Sequence, residues 1–314
     1  MKILVTGGAG YIGSHIVSEL VDNGHQVSVL DNLSNGQVDR LNLESVQFFL
    51  GDIGNTSDLE KSLIDQDLVI HLAALKSVNE STRKPDLYLD CNGRVIFKIL
   101  HAMKKKSVKK LVFASSGAVY ADNQNSQLLS ESSMILPTSP YGLSKFLGEE
   151  ILKSLGTSLG ISTCALRFFN VIGASNKSFT DRSKENLLPK MLEIIKKGGI
   201  PKIYGKDYPT EDGTAIRDYV DVRDVANAHI QVISTLDKPG FTAFNVGTGI
   251  GTSVLRFVHE LKKISRIDFN WEFDSRRTGD PSYLVASNTK IVSQTYWKPR
   301  YSFADSIHSV CQYL

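Results

Sequence analysis

A chain of 314 residues, 41% of them apolar and with a net charge of +3, is long enough for one large domain or two small ones and has the balance of an ordinary soluble protein. The weak positive balance argues against nucleic-acid and membrane partners, which call for a strong basic patch; the basic cluster Lys104–Lys110 reads as a solvated helix end and turn. Three scattered cysteines, Cys91, Cys164 and Cys311, have no metal-ligand spacing and imply no metal site and no disulfide framework, which fits a reducing compartment. Apolar stretches stay well short of the roughly 18 residues of a membrane span, and the opening residues carry no export signal, so the expected location is the cytoplasm.

In chain order, short apolar runs alternate with amphipathic stretches. Strands are predicted at Lys2–Thr6, Gln26–Leu30, Val46–Leu50, Leu68–His71, Lys110–Ser115 and Thr163–Phe168. Helices are predicted between them at Ile12–Asn23, Leu59–Ile64, Val95–Lys105 and Pro140–Leu159, with Gly24 closing the first and Ser139-Pro140 opening the last. Strands that are apolar throughout, alternating with helices, imply a parallel sheet covered on both faces: an α/β, Rossmann-type, doubly wound fold. Beyond Asn170 the pattern changes. Helices follow at Leu187–Lys197, Asp221–Ile233 and Val254–Ser265, strands at Phe244–Val246 and Asp268–Phe273, and polar loops lie between. The expected organisation is a nucleotide-binding domain of residues 1–169 plus 215–249, with a smaller α/β substrate domain of residues 170–214 and 250–314 at the strand C-termini.

Two motifs carry chemistry. Gly7, Gly10 and Gly13 fall between the first strand and first helix, where glycines permit a tight turn, backbone approach to a pyrophosphate and close helix–strand packing. Asp31 ends the second strand about 20 residues on, where an acid bonds the adenosine ribose; its charge favours NAD over a 2′-phosphorylated cofactor. Asp52 and Ile53, after the third strand, suit adenine contacts, with a plain helix cap as the competing role for Asp52. The second motif is Tyr141-x-x-x-Lys145 at a helix start. The two side chains share a helix face, and an ammonium near a phenol favours its phenolate, making a base usable near neutral pH.

These residues, with Ser116, resemble the extended short-chain dehydrogenase/reductases and, within them, the UDP-glucose 4-epimerases. The stretch Asp207–Thr214 followed by Ile216-Arg217-Asp218-Tyr219 is especially similar to the latter, and the resemblance runs through the whole chain. It implies epimerisation at C4 of a UDP-hexose (UDP-glucose and UDP-galactose) through a 4-keto sugar, with bound NAD. Tyr141 would be the base, Ser116 would bond the same hydroxyl, and Lys145 would bind the nicotinamide ribose and lower the tyrosine pKa. Tyr11, Ile12, Asn32, Asn35, Gly36, Leu72, Ala73, Lys76, Asn92 and Phe168 match further cofactor positions. Asn170, Asn186, Leu187, Tyr204, Arg217, Arg277, Asp280 and Leu284 match positions around the UDP-sugar, the arginines as pyrophosphate clamps. The family also implies a homodimer through helices near Asn92–Met103 and Phe146–Leu155.

The chain departs from the family pattern in four places. Gly93-Arg94-Val95 replaces the usual Asn-x-x-Gly-Thr run after Asn92. Phe168 stands where a tyrosine is common. Ala174–Asn186 is short, and Leu284 stands where strict members limit sugar size with a tyrosine, with Tyr283 beside it. A smaller residue there keeps UDP-N-acetylglucosamine or UDP-glucuronate epimerisation open as an alternative. A 4,6-dehydratase would need an Asp-Glu pair where Ser116-Gly117-Ala118 stands, and a non-catalytic NAD sensor would not need Tyr141 and Lys145.

Overall fold

The computed structural model describes residues 1–121, 127–277 and 279–314. Its strands in chain order are β1 (Lys2–Thr6), β2 (Gln26–Asp31), β3 (Val46–Leu50), β4 (Leu68–His71), β5 (Lys110–Ser116), β6 (Ser162–Phe168), β7 (Asn170–Ile172), β8 (Lys202–Tyr204), β9 (Ile216–Asp221), β10 (Gly240–Val246), β11 (Gly251–Ser253), β12 (Glu272–Asp274) and β13 (Tyr283–Leu284). Among the described residues, seven parallel strands pair in the order β10-β6-β5-β4-β1-β2-β3. Chain order reverses between β1 and β4, and that reversal opens a crevice outside the strand C-termini. The Rossmann-type expectation holds. β1, β4 and β6 are buried along nearly their whole length, because helices cover both sheet faces.

Two apolar cores follow from the two faces. One joins Ile3, Val5, Ile16, Val29, Ile70 and Phe244; the other joins Leu4, Leu30, Val69, Ile96, Phe113 and Leu152. Alternate residues of β1 (Ile3, Leu4, Val5) enter opposite cores, as the two-residue period of a strand requires. Helix Tyr11–Asp22 ends at Asn23 with Gly24 at φ +77°, and helix Pro140–Ile151 begins at Ser139, whose hydroxyl accepts the Gly142 N–H at 3.1 Å. That last helix does not run unbroken to Leu159; it widens into a π-helical turn over Leu152–Gly156.

The smaller lobe is built around β9, which pairs antiparallel with β11 and parallel with β7 and β13; β8 and β12 form a separate pair. Its core gathers Leu188, Met191, Ile203, Tyr219, Phe257 and Ile307. The strand predicted at Asp268–Phe273 lies instead at Glu272–Asp274. We propose a division along these two sheets, in which the chain returns to the large lobe at Val222 instead of residue 215. Ile291 and Trp297 also pack into the large lobe's core, so the C-terminal stretch is shared between lobes. No helix among the described residues is long and apolar enough to cross a membrane.

Candidate active site

One crevice runs from the glycine loop, along the C-terminal ends of the large sheet, to the small lobe. At its first end, close packing leaves no room for side chains. Gly7 has φ +74°, and a Cβ there would lie 2.7 Å from the Ala73 nitrogen; a Cβ on Gly13 would lie 2.2 Å from the Gly7 oxygen. Asp31, only 7% exposed, accepts the Ala9 N–H at 3.0 Å and the Leu33 N–H at 2.8 Å, so its carboxylate fixes the loop and also faces the crevice. Asn32 donates to Asp52 at 2.7 Å, and Asp52 accepts the Gly54 N–H at 2.7 Å; the helix that follows is capped by Asn55, not by Asp52. Tyr11 donates its hydroxyl to the Gly173 carbonyl at 2.6 Å, tying the first helix to the segment after β7. Ile12, Asn35, Gly36, Ile53, Leu72, Ala73, Lys76 and Phe168 also line the crevice.

Asn92 is not among the residues that line it. It is 1% exposed, it bonds both the nitrogen and oxygen of Leu75 at 2.8 and 2.9 Å, and it donates to Ser144 at 3.1 Å. These bonds join the Leu75 loop to helix Pro140–Ile151. It shapes the site without reaching into it.

In the middle of the crevice, Tyr141 shares the wall with Ser116, which ends β5 and whose hydroxyl accepts the Ala118 N–H at 3.1 Å. The ring of Tyr88 meets Tyr141 edge-on with centroids 6.5 Å apart, limiting its rotation. Lys145 lies one turn further along, 3% exposed, donating to the Ala114 carbonyl at 2.8 Å and sitting 5.0 Å from the Phe113 ring centroid. Burial raises the Tyr141 pKa, against the lowering effect of the nearby Ser116 hydroxyl. Burial also lowers Lys145 to about 7, against the raising effect of Glu149. Tyr141 is thus not depressed by Lys145 in this state, because the ammonium is directed at Ala114 and both groups are desolvated.

At the far end the donors are side chains from separate segments. Arg217 on β9 donates to Asp280 at 2.6 Å and to the Pro281 carbonyl at 2.7 Å; the guanidinium of Arg277 stacks 4.2 Å from the Tyr204 ring centroid. Asn170, Asn186, Leu187, Tyr204, Asp280 and Leu284 share this wall. Tyr283 does not, since neighbouring strand residues face opposite ways. Of the two residues, Leu284 is the one that lines the crevice.

Sequence reasoning missed the struts behind these residues. Asp181 accepts from Asn186 at 2.5 Å and lies 3.9 Å from the Lys76 ammonium, joining the two ends of the crevice. Arg40 donates to the Thr180 carbonyl at 2.8 Å, and Arg182 donates to Gln37. The position of Arg182 in the short Ala174–Asn186 segment carried no local motif that could have marked it.

The sequence pattern of the NAD dependent epimerase/dehydratase family matches residues 3–247. The chain belongs to this family. It is 40% identical over 314 residues to the UDP-glucose 4-epimerase of Lactobacillus helveticus, covering 98% of this chain and 94% of the relative. Among solved structures, the UDP-glucose 4-epimerase of Stenotrophomonas maltophila with bound NAD and formylated UDP-arabinopyranose matches with a TM-score of 0.94 and 32% identity, covering 100% of this chain and 97% of that one. The UDP-N-acetylglucosamine 4-epimerase of Methanobrevibacter ruminantium in complex with UDP-N-acetylmuramic acid matches with a TM-score of 0.87 and 34% identity over 99% and 97% of the two chains. NAD is this family's cofactor, and the residues present fit it: a side-chain-free loop at a helix N-terminus for its phosphates, and the crevice-facing Asp31 carboxylate for a ribose.

Proposed function

We propose that the protein interconverts UDP-glucose and UDP-galactose by epimerisation at C4 of the hexose. The observation that carries this reading is the placement of Tyr141 and Ser116 in a single crevice with a dinucleotide loop on one side and Arg217 and Arg277 on the other. An unactivated C–H cannot be deprotonated, so inversion requires oxidation first. Bound in this crevice, NAD would supply a reversible hydride acceptor for the C4 hydrogen and positive charge that favours the phenolate. Tyr141 takes the 4-hydroxyl proton and gives it back, while Ser116 holds the same oxygen in line. Lys145 supplies the buried positive charge and a donor for a ribose hydroxyl. Arg217 and Arg277 hold the pyrophosphate as guanidinium forks, with Asn170, Asn186, Leu187, Tyr204 and Asp280 around the nucleotide sugar. Strong clamps on UDP with few on the hexose let the 4-keto sugar turn its other face before reduction.

Leu284 on the crevice wall favours a second reading, acceptance of UDP-N-acetylglucosamine alongside the hexose. We further propose a homodimer in the cytoplasm. Phe97 and Leu143 are 41% and 45% exposed on the two helices that would meet, and three free cysteines suit a reducing compartment. Incubation with UDP-glucose, UDP-N-acetylglucosamine and UDP-glucuronate, followed by chromatographic separation, tests the reaction. UDP-galactose forming without net NADH release is expected; no C4 epimer from any of the three overturns it.

A further inference from the structure

Behind the catalytic pair lies a buried ion pair that the reaction does not touch. Helix Pro140–Ile151 places Tyr141, Lys145 and Glu149 at successive steps of four residues, one stripe along one face. Glu149 is 1% exposed and Arg167 3%. Arg167 grips the carboxylate in a fork, with Nη2 to Oε2 at 2.6 Å and Nε to Oε1 at 3.0 Å. The Ser115 hydroxyl donates to Oε1 at 2.5 Å. Ser115 immediately precedes Ser116, and Arg167 immediately precedes Phe168, so the pair fastens the ends of β5 and β6 to the helix that carries the base. Arg167 Nη1 continues to the Tyr120 hydroxyl at 2.8 Å, and Tyr120 donates to Asn245 on β10 at 2.6 Å.

A buried ion pair is a poor device for stability, because desolvation offsets most of its attraction and well-packed apolar residues serve as well or better. A use beyond stability follows from its position. We propose that Glu149, held by Arg167 and Ser115, is a positioning residue that keeps Lys145 an ammonium at its place beneath Tyr141. This deepens the epimerase reading and rests on it for its catalytic consequence.

The surroundings of Lys145 bear on the sign. From β4, His71 faces it and is itself held neutral by burial, with its pKa down at about 3. β5 offers the Phe113 ring and Ala114 carbonyl, which favour a cation without titrating. Tyr141 lies on the same helix. Around Glu149, β6 contributes Arg167 and the buried Cys164, whose thiol is pushed up by burial; Tyr120 and Glu131 lie beyond Arg167. Among these groups Glu149 is the anion that raises Lys145 against the lowering effect of burial. Without its charge the lysine deprotonates at lower pH, and activity that needs the ammonium is lost earlier as pH rises.

The test uses Glu149→Gln and, because that change leaves Arg167 buried and unpaired, the double variant Glu149→Gln/Arg167→Gln. The Lys145 side chain is titrated directly by carbon-13 NMR in lysine-labelled protein, its resonance assigned with Lys145→Arg. In parallel, kcat/KM for UDP-glucose is followed from about pH 5 to about pH 9. A Lys145 midpoint displaced downward by roughly one unit in the folded double variant, with the falling limb of the rate profile moving by a similar amount, is the expected result. An unmoved Lys145 midpoint in that folded variant overturns the proposal. The NMR arm needs no turnover, so a wild-type protein inactive on UDP-hexoses would overturn the epimerase reading while the lysine titration still decides this one.

Discussion

The two ends of the crevice are built on different principles. The cofactor end is made by backbone: Gly7 and Gly13 bring strand, turn and helix so close that the missing side chains are the site. The substrate end is made by side chains from segments far apart in sequence, held by ion pairs and stacking, as with Arg217 on Asp280 and Arg277 on Tyr204. A backbone site has little tolerance for an added atom and little room for specialisation. A side-chain site can be retuned one residue at a time, and this chain's departures from the family pattern at Ala174–Asn186 and Leu284 fall there. The Tyr141 region joins the two, and altering it should disable chemistry while sparing both ends. Tyr141→Phe is expected to lower kcat by about 10²–10⁴-fold with NAD affinity and melting temperature unchanged, read by steady-state kinetics and cofactor titration. Loss of cofactor binding in this variant would show that the centre and the first end are not separable.

The next largest effect is expected at the backbone end. In Gly13→Ala the new Cβ meets the Gly7 carbonyl, a backbone group that cannot turn aside as a flexible side chain would. The loop must open, with a cost of about 1–3 kcal/mol in stability and a drop in NAD affinity of tenfold or more. Thermal melting and fluorescence titration check both; a variant that binds NAD normally would remove the close-packing account. By contrast, Arg217→Met should leave NAD binding alone and raise KM for the UDP-sugar. Loss of a charge-assisted bond is worth about 1.5–3 kcal/mol, or roughly 10–100-fold. An effect on kcat alone would mean that Arg217 acts on the hexose and not on the pyrophosphate.

What was legible in the sequence follows the same division. All seven strands of the large sheet (β10 only in its last three residues), the glycine loop, Asp31 and the Tyr141–Lys145 spacing are local patterns, fixed by residues a few positions apart. β7, β9, β11 and β13 escaped notice because two- to six-residue strands in a polar context have no period to read; they exist through pairing with one another. Resemblance pointed to residues that line this wall, and only folding could show that Leu284 faces the crevice while Tyr283 turns away. Asn92 shows the opposite case. It matches a cofactor position, yet its amide bonds Leu75 and Ser144. Nor could the sequence reveal that burial raises Tyr141 and lowers Lys145, since both shifts come from groups brought together by tertiary packing.

His15 tests whether the two ends are mechanically joined. Its ring sits between Tyr11 and Phe179, with Nδ1 at 2.9 Å from the Tyr11 carbonyl and Nε2 accepting the Ser175 N–H at 3.1 Å. Burial lowers its pKa to about 4, and His229 likewise; His71 falls to about 3. A base with a depressed folded pKa binds its proton more readily when unfolded. Stability therefore rises with pH up to about 6.5 and is lost as the solution is acidified below that value, by up to about 1.4 kcal/mol per pH unit for each histidine. Denaturant unfolding between about pH 4 and about pH 7 should show this slope, shallower by one histidine's share in His15→Gln. An unchanged slope would mean that His15 is already charged, and its bond to Ser175 would then need a different account.

The smallest effect is expected at Leu284, and it isolates specialisation from catalysis. β13 lies parallel to β9 with Leu284 opposite Arg217, so the side chain stands beside the guanidinium proposed to hold the pyrophosphate. A tyrosine at this position would extend into the crevice and shorten the space available to a substituent on the hexose. The rest of the wall is unaltered, so turnover of UDP-glucose should change little. A pocket that merely lacks or gains a few atoms discriminates by about 1–3 kcal/mol, so Leu284→Tyr should lower kcat/KM for UDP-N-acetylglucosamine by roughly tenfold or more relative to UDP-glucose. Competition between the two substrates in one reaction reads the ratio directly. An equal loss for both would mean that Leu284 acts through Arg217, and a ratio that does not move would place the limit on sugar size in the Ala174–Asn186 segment instead.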